Sequence, residues 1–106
     1  MQGKIVFEEH MAIPETLEET RNFAGDSGKW DEFMRQIMDM GDERIELMDK
    51  NGIEFSILSN NAPGVQAILD TQDAIEVSRK ANDAMAEAVA KFPKRYAAFA
   101  ALPMQD

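Results

Sequence analysis

The sequence predicts an α/β fold with parallel strands, and three observations carry that expectation. Short β-rich runs alternate with two segments of about twenty residues whose apolar positions recur at the helical period. Glycine and proline fall between the two kinds of segment. The resulting order of strand, helix, strand, helix, strand suits parallel neighbours joined by right-handed crossovers.

Each element has its own warrant. Residues 4–8 of "KIVFEEHM" are a compact β-rich run and read as a buried strand. Residues 11–29 form a long mixed connection in which Pro14 followed by Glu15 suits a single helical turn. "AGDSG" at 24–28 is turn chemistry, and connections of this length usually cover a site. A helix is expected over 30–50. There Trp30, Phe33, Met34, Ile37, Met38, Ile45 and Met48 recur near the 3.6-residue period, with Gly41 a weak point. "KNG" ends it, Gly52 suiting a left-handed cap. The second strand, over 54–59 of "IEFSILSNN", is closed by Ala62, Pro63 and Gly64. The second helix, over 71–91, carries Ile75, Ala81, Met85, Ala88, Val89 and Phe92 as its stripe, and Pro93 stops it. "RYAAFAAL" supplies a third strand over 96–101, with both helices on one face of the sheet. The eight methionines stand mostly at core-like spacing and read as packing.

Composition limits the function classes. The 106 residues suffice for one small domain. A net charge of −9 opposes phosphate backbones and anionic lipid, so neither nucleic acid nor membrane is an expected partner. Without cysteine there is no disulfide framework and no thiolate metal site. "MQGKIVFEEH" has no apolar signal core and no run approaches a membrane span of ~20 residues, which points to the cytoplasm.

The chemistry concentrates where the first strand turns polar. Ile5, Val6 and Phe7 are followed by Glu8, Glu9 and His10, the only histidine. Alternation puts Glu8 and His10 on one face, with Val6, and Glu9 on the other; Ile5 and Phe7 would then pack beneath a helix. Both groups project at the carboxyl end of a parallel strand, where α/β folds hold their sites. A carboxylate and an imidazole two residues apart can reach one divalent ion at ~2.0–2.2 Å. A solvated strand end accounts for the same residues, with Glu9 paired to a lysine and His10 bonded to a backbone carbonyl. Two ligands also fall short of the roughly three protein ligands of a catalytic site. "SNNAPG" at 59–64 could offer amide groups at the same rim or be a plain turn, and Phe23 could wall an aromatic ligand or merely anchor its loop.

The stretches "MQGKIVFEEHMAIPET", "RIELMDKNGIEFSILSNNAPGVQAI" and "ANDAMAEAVAKFPKRYAAFAALPMQD" carry a resemblance. Together they resemble the N-terminal part of the amidohydrolase-related hydroxybenzoate decarboxylases, the γ-resorcylate (2,6-dihydroxybenzoate) and 2,3-dihydroxybenzoate enzymes among them. The likeness spans nearly the whole chain and is weakest over 17–40. It implies a (β/α)8 barrel with one divalent metal, Zn2+ or Mn2+, and no organic cofactor. It further implies CO2 release from a small aromatic carboxylic acid and a homo-oligomeric enzyme. It implies Glu8 and His10 as the first two metal ligands, His10 favouring the γ-resorcylate-like branch, and places Phe23 and Asn61 near the bound ring. The protonating aspartate and the later His and Asp ligands would lie in the second half of the barrel, so no catalytic residue is expected in this sequence.

Such a barrel needs about 250 residues and eight strands. Residues 1–106 are therefore expected to be a single N-terminal fragment of the barrel domain, inactive alone, with Asp106 suited to cap a following helix. Two alternatives stay open: a metal-dependent hydrolase of the same superfamily, and a non-catalytic α/β domain that self-associates.

Overall fold

The computed structural model describes residues 3–24 and 28–106, apart from the side chains of residues 23 and 24. Within them Lys4–Met11 (β1), Ile53–Asn60 (β2) and Tyr96–Ala98 (β3) form one sheet in the order β1-β2-β3, both pairings parallel. The connections hold helices Pro14–Ala24 (α1), Trp30–Met38 (α2) and Asp42–Lys50 (α3), then a 3-10 turn at Gly64–Ala67 and helix Thr71–Lys91 (α4). The parallel order and the helix over 71–91 follow the sequence expectation. Among the described residues no helix is long and apolar enough to cross a membrane.

The core lies between sheet and helices. Met11, Leu58 and Tyr96 from the strands pack on Met48 of α3 and on Ala81, Met85 and Ala88 of α4, all buried. Small residues at Ala74, Ser78 and Ala81 let α4 lie close to the sheet. Ala12, Leu17 and Ile37 form a smaller cluster that joins α1 and α2 to the exit of β1. The molecule measures 19 Å along its shortest axis, about a sheet plus one helix layer of ~10 Å. The other sheet face is open, and Ile5 and Phe7 are 58% and 69% exposed.

Four sequence expectations are corrected. The 11–29 connection holds an eleven-residue helix rather than one turn. Its buried side includes Thr16 and Thr20, which donate to the carbonyls of Ile13 and Thr16, so no continuous apolar stripe announces it. The "AGDSG" turn falls largely on residues 25–27, outside the described residues.

The single helix over 30–50 is two helices. The Asp39 carboxylate accepts from the backbone N–H of Gly41 (3.0 Å) and Arg44 (2.8 Å), closing the N-terminus of α3. The Arg44 guanidinium donates to the carbonyls of Gln36 and Ile37 at the C-terminus of α2. Arg35 and Glu43 pair across the break. Each helix end at the junction is thus satisfied by a side chain from the other side of it.

The third strand is three residues long. Phe99 still donates its N–H to Leu58, but the Asn82 amide then takes both the N–H and the C=O of Ala101, drawing the chain off the ladder.

The first strand runs to Met11 and is bulged. Val6 pairs with Ser56 and Glu9 with Leu58, so Phe7 and Glu8 together oppose Ile57. Glu8 absorbs the extra residue at φ +56°. Strict alternation therefore fails across residue 8. Val6 and Glu9 take the side of buried Ser56 and Leu58, while Ile5 and Phe7 face the open side, the reverse of the expected placement.

Candidate functional site

The carboxyl ends of β1 and β2 place the predicted residues. Glu8 sits in the bulge and His10 two residues on, paired in register with Ser59. Both side chains are exposed, and among the described residues neither enters a hydrogen bond or ion pair. Glu9, between them, is turned to the helix side and stands 3.9 Å from Arg44. A left-handed conformation at a non-glycine residue costs about 1–3 kcal/mol and survives where surrounding structure imposes it, often at functional positions.

Asn61 follows β2 and is fixed by two elements. Its backbone N–H donates to Met11 at 2.8 Å. Its side-chain amide donates to the Thr20 hydroxyl at 3.3 Å and to the Ala62 carbonyl at 3.0 Å. Thr20 is buried and its own proton goes to the Thr16 carbonyl, so its oxygen can only accept. That ordering turns the Asn61 nitrogen inward and leaves the amide oxygen as the acceptor to offer a ligand. Just beyond, Gly64 has φ +53°, and a Cβ there would stand 2.5 Å from the Asn60 amide nitrogen. A side chain there would displace the Asn60 amide and strain the left-handed backbone, both of which glycine avoids.

A cavity of about 440 Å3 opens beside β1 and is lined by Glu8, His10 and Asn61 together with Phe33, Arg44 and Leu47 of the helix layer. The structure thus brings three of the four predicted residues to one cavity. The fourth, Phe23, lies in the last turn of α1 rather than in a loop, and its side chain is outside the described residues. Glu9, Asp39 and Glu43 also line the space, so carboxylates outnumber the Arg44 guanidinium and the field favours a cation.

Glu8 and His10 fit a divalent metal as far as they go. They supply an oxygen and a nitrogen donor, the set that zinc and manganese accept, and both are uncommitted to other partners. They are also incomplete, because among the described residues no group of three or more His, Cys, Asp or Glu side chains could hold an ion. Sequence reasoning missed Arg44, Asp39 and Thr20. Asp39 followed by acidic Asp42 and Glu43 was the legible signal of a helix start. Nothing in the local sequence announces the reach of Arg44 to β1.

No family model matches the chain. Individual proteins do. The γ-resorcylate decarboxylase of Rhizobium sp. (strain MTP-10005) is 55% identical over 107 aligned positions, which cover 100% of this chain and 32% of that protein. A crystal structure of a 2,6-dihydroxybenzoate decarboxylase complexed with 2,6-dihydroxybenzoate superposes with a TM-score of 0.93 at 54% identity, again over 100% of this chain and 32% of that one. A dihydroxybenzoic acid decarboxylase from Polaromonas sp. JS666, solved with bound manganese and the inhibitor 2-nitroresorcinol, gives a TM-score of 0.92 at 52% identity with the same coverage. The chain spans about a third of the length of these relatives.

Proposed function

We propose, since the chain belongs to the amidohydrolase-related hydroxybenzoate decarboxylases and matches their N-terminal portion, that it forms the first βαβαβ part of a metal-dependent barrel enzyme. That enzyme would release CO2 from a hydroxybenzoate without an oxidant, with 2,6-dihydroxybenzoate the first substrate to test and 2,3-dihydroxybenzoate the second. Residues 1–106 would be one piece of that barrel domain, and the complete protein a cytoplasmic homo-oligomer.

The observation that carries this proposal is the pairing of two uncommitted donors, Glu8 and His10, in one acidic cavity at the carboxyl end of β1. They would hold one divalent ion, manganese as in the Polaromonas relative or zinc. The ion would contribute Lewis-acid stabilisation of charge developing on the substrate's oxygens. The chain's own residues do the rest of the positioning. Glu8 and His10 fix the ligand end of the site at β1. Asn61, its nitrogen held by Thr20, presents an oxygen that can accept from a phenolic hydroxyl, and Phe23 stands on the element that borders Asn61. The proton donor would come from the remaining length of the enzyme.

The test is an assay of the complete enzyme carrying this segment, with Mn2+ or Zn2+ restored after chelation. CO2 release from 2,6-dihydroxybenzoate, faster than from 2,3-dihydroxybenzoate, is the expected result. Hydrolysis of lactones or amides with no CO2 release would overturn the decarboxylase assignment.

A further inference from the structure

Arg44 of α3 is 8% exposed, and among the described residues its guanidinium makes no hydrogen bond to a carboxylate. Its Nη1 donates to the backbone carbonyl of His10 at 3.0 Å, and its Nη2 to the carbonyls of Gln36 (3.1 Å) and Ile37 (3.3 Å). Glu9 contributes charge from 3.9 Å rather than a tight pair. Two of these carbonyls close the C-terminus of α2, a common use of a basic side chain, but the third belongs to His10 on β1. Held this way, the guanidinium clamps the end of β1 to the end of α2.

We propose that Arg44 is a positioning residue for the metal-binding end of β1, setting where His10 stands through the His10 carbonyl. This rests on the assignment of Glu8 and His10 as metal ligands. Among the described residues β1 pairs with β2, and its register slips twice before His10. Glu9 and His10 regain pairing with Leu58 and Ser59, but Glu8 stands in the bulge without a registered partner. Two connections make up the deficit. Ala12 donates its N–H to the Ile37 carbonyl at 3.1 Å, and Arg44 bonds both that carbonyl and His10's. The C-terminus of α2 is thus joined to residues 10–12 by two links, of which only the guanidinium reaches His10. A ligand must be held within about 0.5 Å of its productive position, which a strand with a bulge cannot ensure by pairing alone. Lysine cannot replace the fork, since one ammonium cannot aim fixed planar donors at two separate groups.

The experiment measures Mn2+ affinity and the electron paramagnetic resonance spectrum of bound Mn2+ in the complete enzyme carrying this segment. Arg44→Lys is expected to weaken Mn2+ about tenfold, in the range for lost support of a metal ligand, and to change the spectrum at saturation. Asn82→Ala, which frees Ala101 far from β1, should lower the thermal midpoint while leaving affinity and spectrum at wild-type values. That contrast separates positioning from general stability. In a second variant, Arg44→Ala, ethylguanidinium supplied through the adjoining cavity should restore affinity. Wild-type affinity and spectrum in folded Arg44→Lys, or folded Arg44→Ala whose affinity ethylguanidinium leaves unchanged, would overturn the proposal. Glu8→Gln and His10→Ala run alongside. If they lose Mn2+ while Arg44→Lys does not, only the positioning role fails; if they retain it, the ligand assignment fails first.

Discussion

Replacing Glu8 by glycine and by alanine separates the strain of the bulge from the chemistry of the carboxylate. Glu8 stands at φ +56° with an exposed side chain, so removing that side chain costs little packing. Left-handed backbone costs an L-residue about 1–2 kcal/mol, and glycine escapes that penalty. Glycine loses about 0.5–1 kcal/mol more than alanine through the freedom of its unfolded chain. The difference leaves Glu8→Gly more stable than Glu8→Ala by up to about 1.5 kcal/mol, about 0.75 at the middle of both ranges. In an unstrained strand the order is the opposite by a similar amount, so the sign is the test. The assay is urea unfolding of metal-free protein, because bound metal would add its own linkage to the native state. For a barrel domain of about 250 residues, a gap of about 0.75 kcal/mol corresponds to roughly 1.5–3 °C in thermal midpoint. Glu8→Ala equal to or more stable than Glu8→Gly would refute strain at the bulge.

Three further outcomes follow from other parts of the structure. Tyr96 is buried with its hydroxyl unpartnered among the described residues, and burial pushes its pKa up to about 12. The folded state keeps this proton where the unfolded tyrosine, at about 10, has lost it, so stability is complete below pH ~10 and falls as pH climbs toward 12. Tyr96→Phe should blunt that alkaline loss and leave neutral-pH stability unchanged or raised by about 1 kcal/mol; thermal unfolding at both pH values decides it. Thr20→Val removes the acceptor that orients Asn61. It should raise KM for the hydroxybenzoate in the complete enzyme with Mn2+ affinity unchanged, and an unaltered KM would count against a ligand role for Asn61. The isolated 106-residue chain, with Ile5 and Phe7 exposed on the open sheet face, should self-associate; light scattering that shows a monomer at all concentrations would contradict this.

Much of this architecture was legible because periodicity and packing agree. Of the stripe expected on the helix over 71–91, Ala81, Met85 and Ala88 are buried and Ile75, Val89 and Phe92 half-buried beside them, with Asp70 capping its start. The parallel order follows from the alternation of elements. The misses have a common physical origin in polar groups that serve the backbone. α1 turns threonines inward, where they bond to carbonyls one turn back, so its burial leaves little apolar signature. The break between α2 and α3 is made by Asp39 and Arg44, residues that a periodicity count assigns to a solvated face. The reversal at Val6, Ile5 and Phe7 comes from the bulge, and no local rule marks Glu8 as a residue with positive φ. The candidate site was half legible: Glu8, His10 and Asn61 stand out as polar residues at strand ends, whereas Arg44 and Thr20 act through partners 34 and 41 residues away.

Metal stoichiometry in the complete enzyme carrying this segment bears most directly on the central claim. The enzyme, exchanged into Mn2+ and freed of loosely held ions, is analysed beside Glu8→Gln and His10→Ala, with circular dichroism to confirm folding. The expected result is about one ion per chain in the parent and strongly reduced metal in both variants, with folding retained because neither side chain packs in the core. Full metal content in folded Glu8→Gln and His10→Ala would contradict the account and move the site elsewhere.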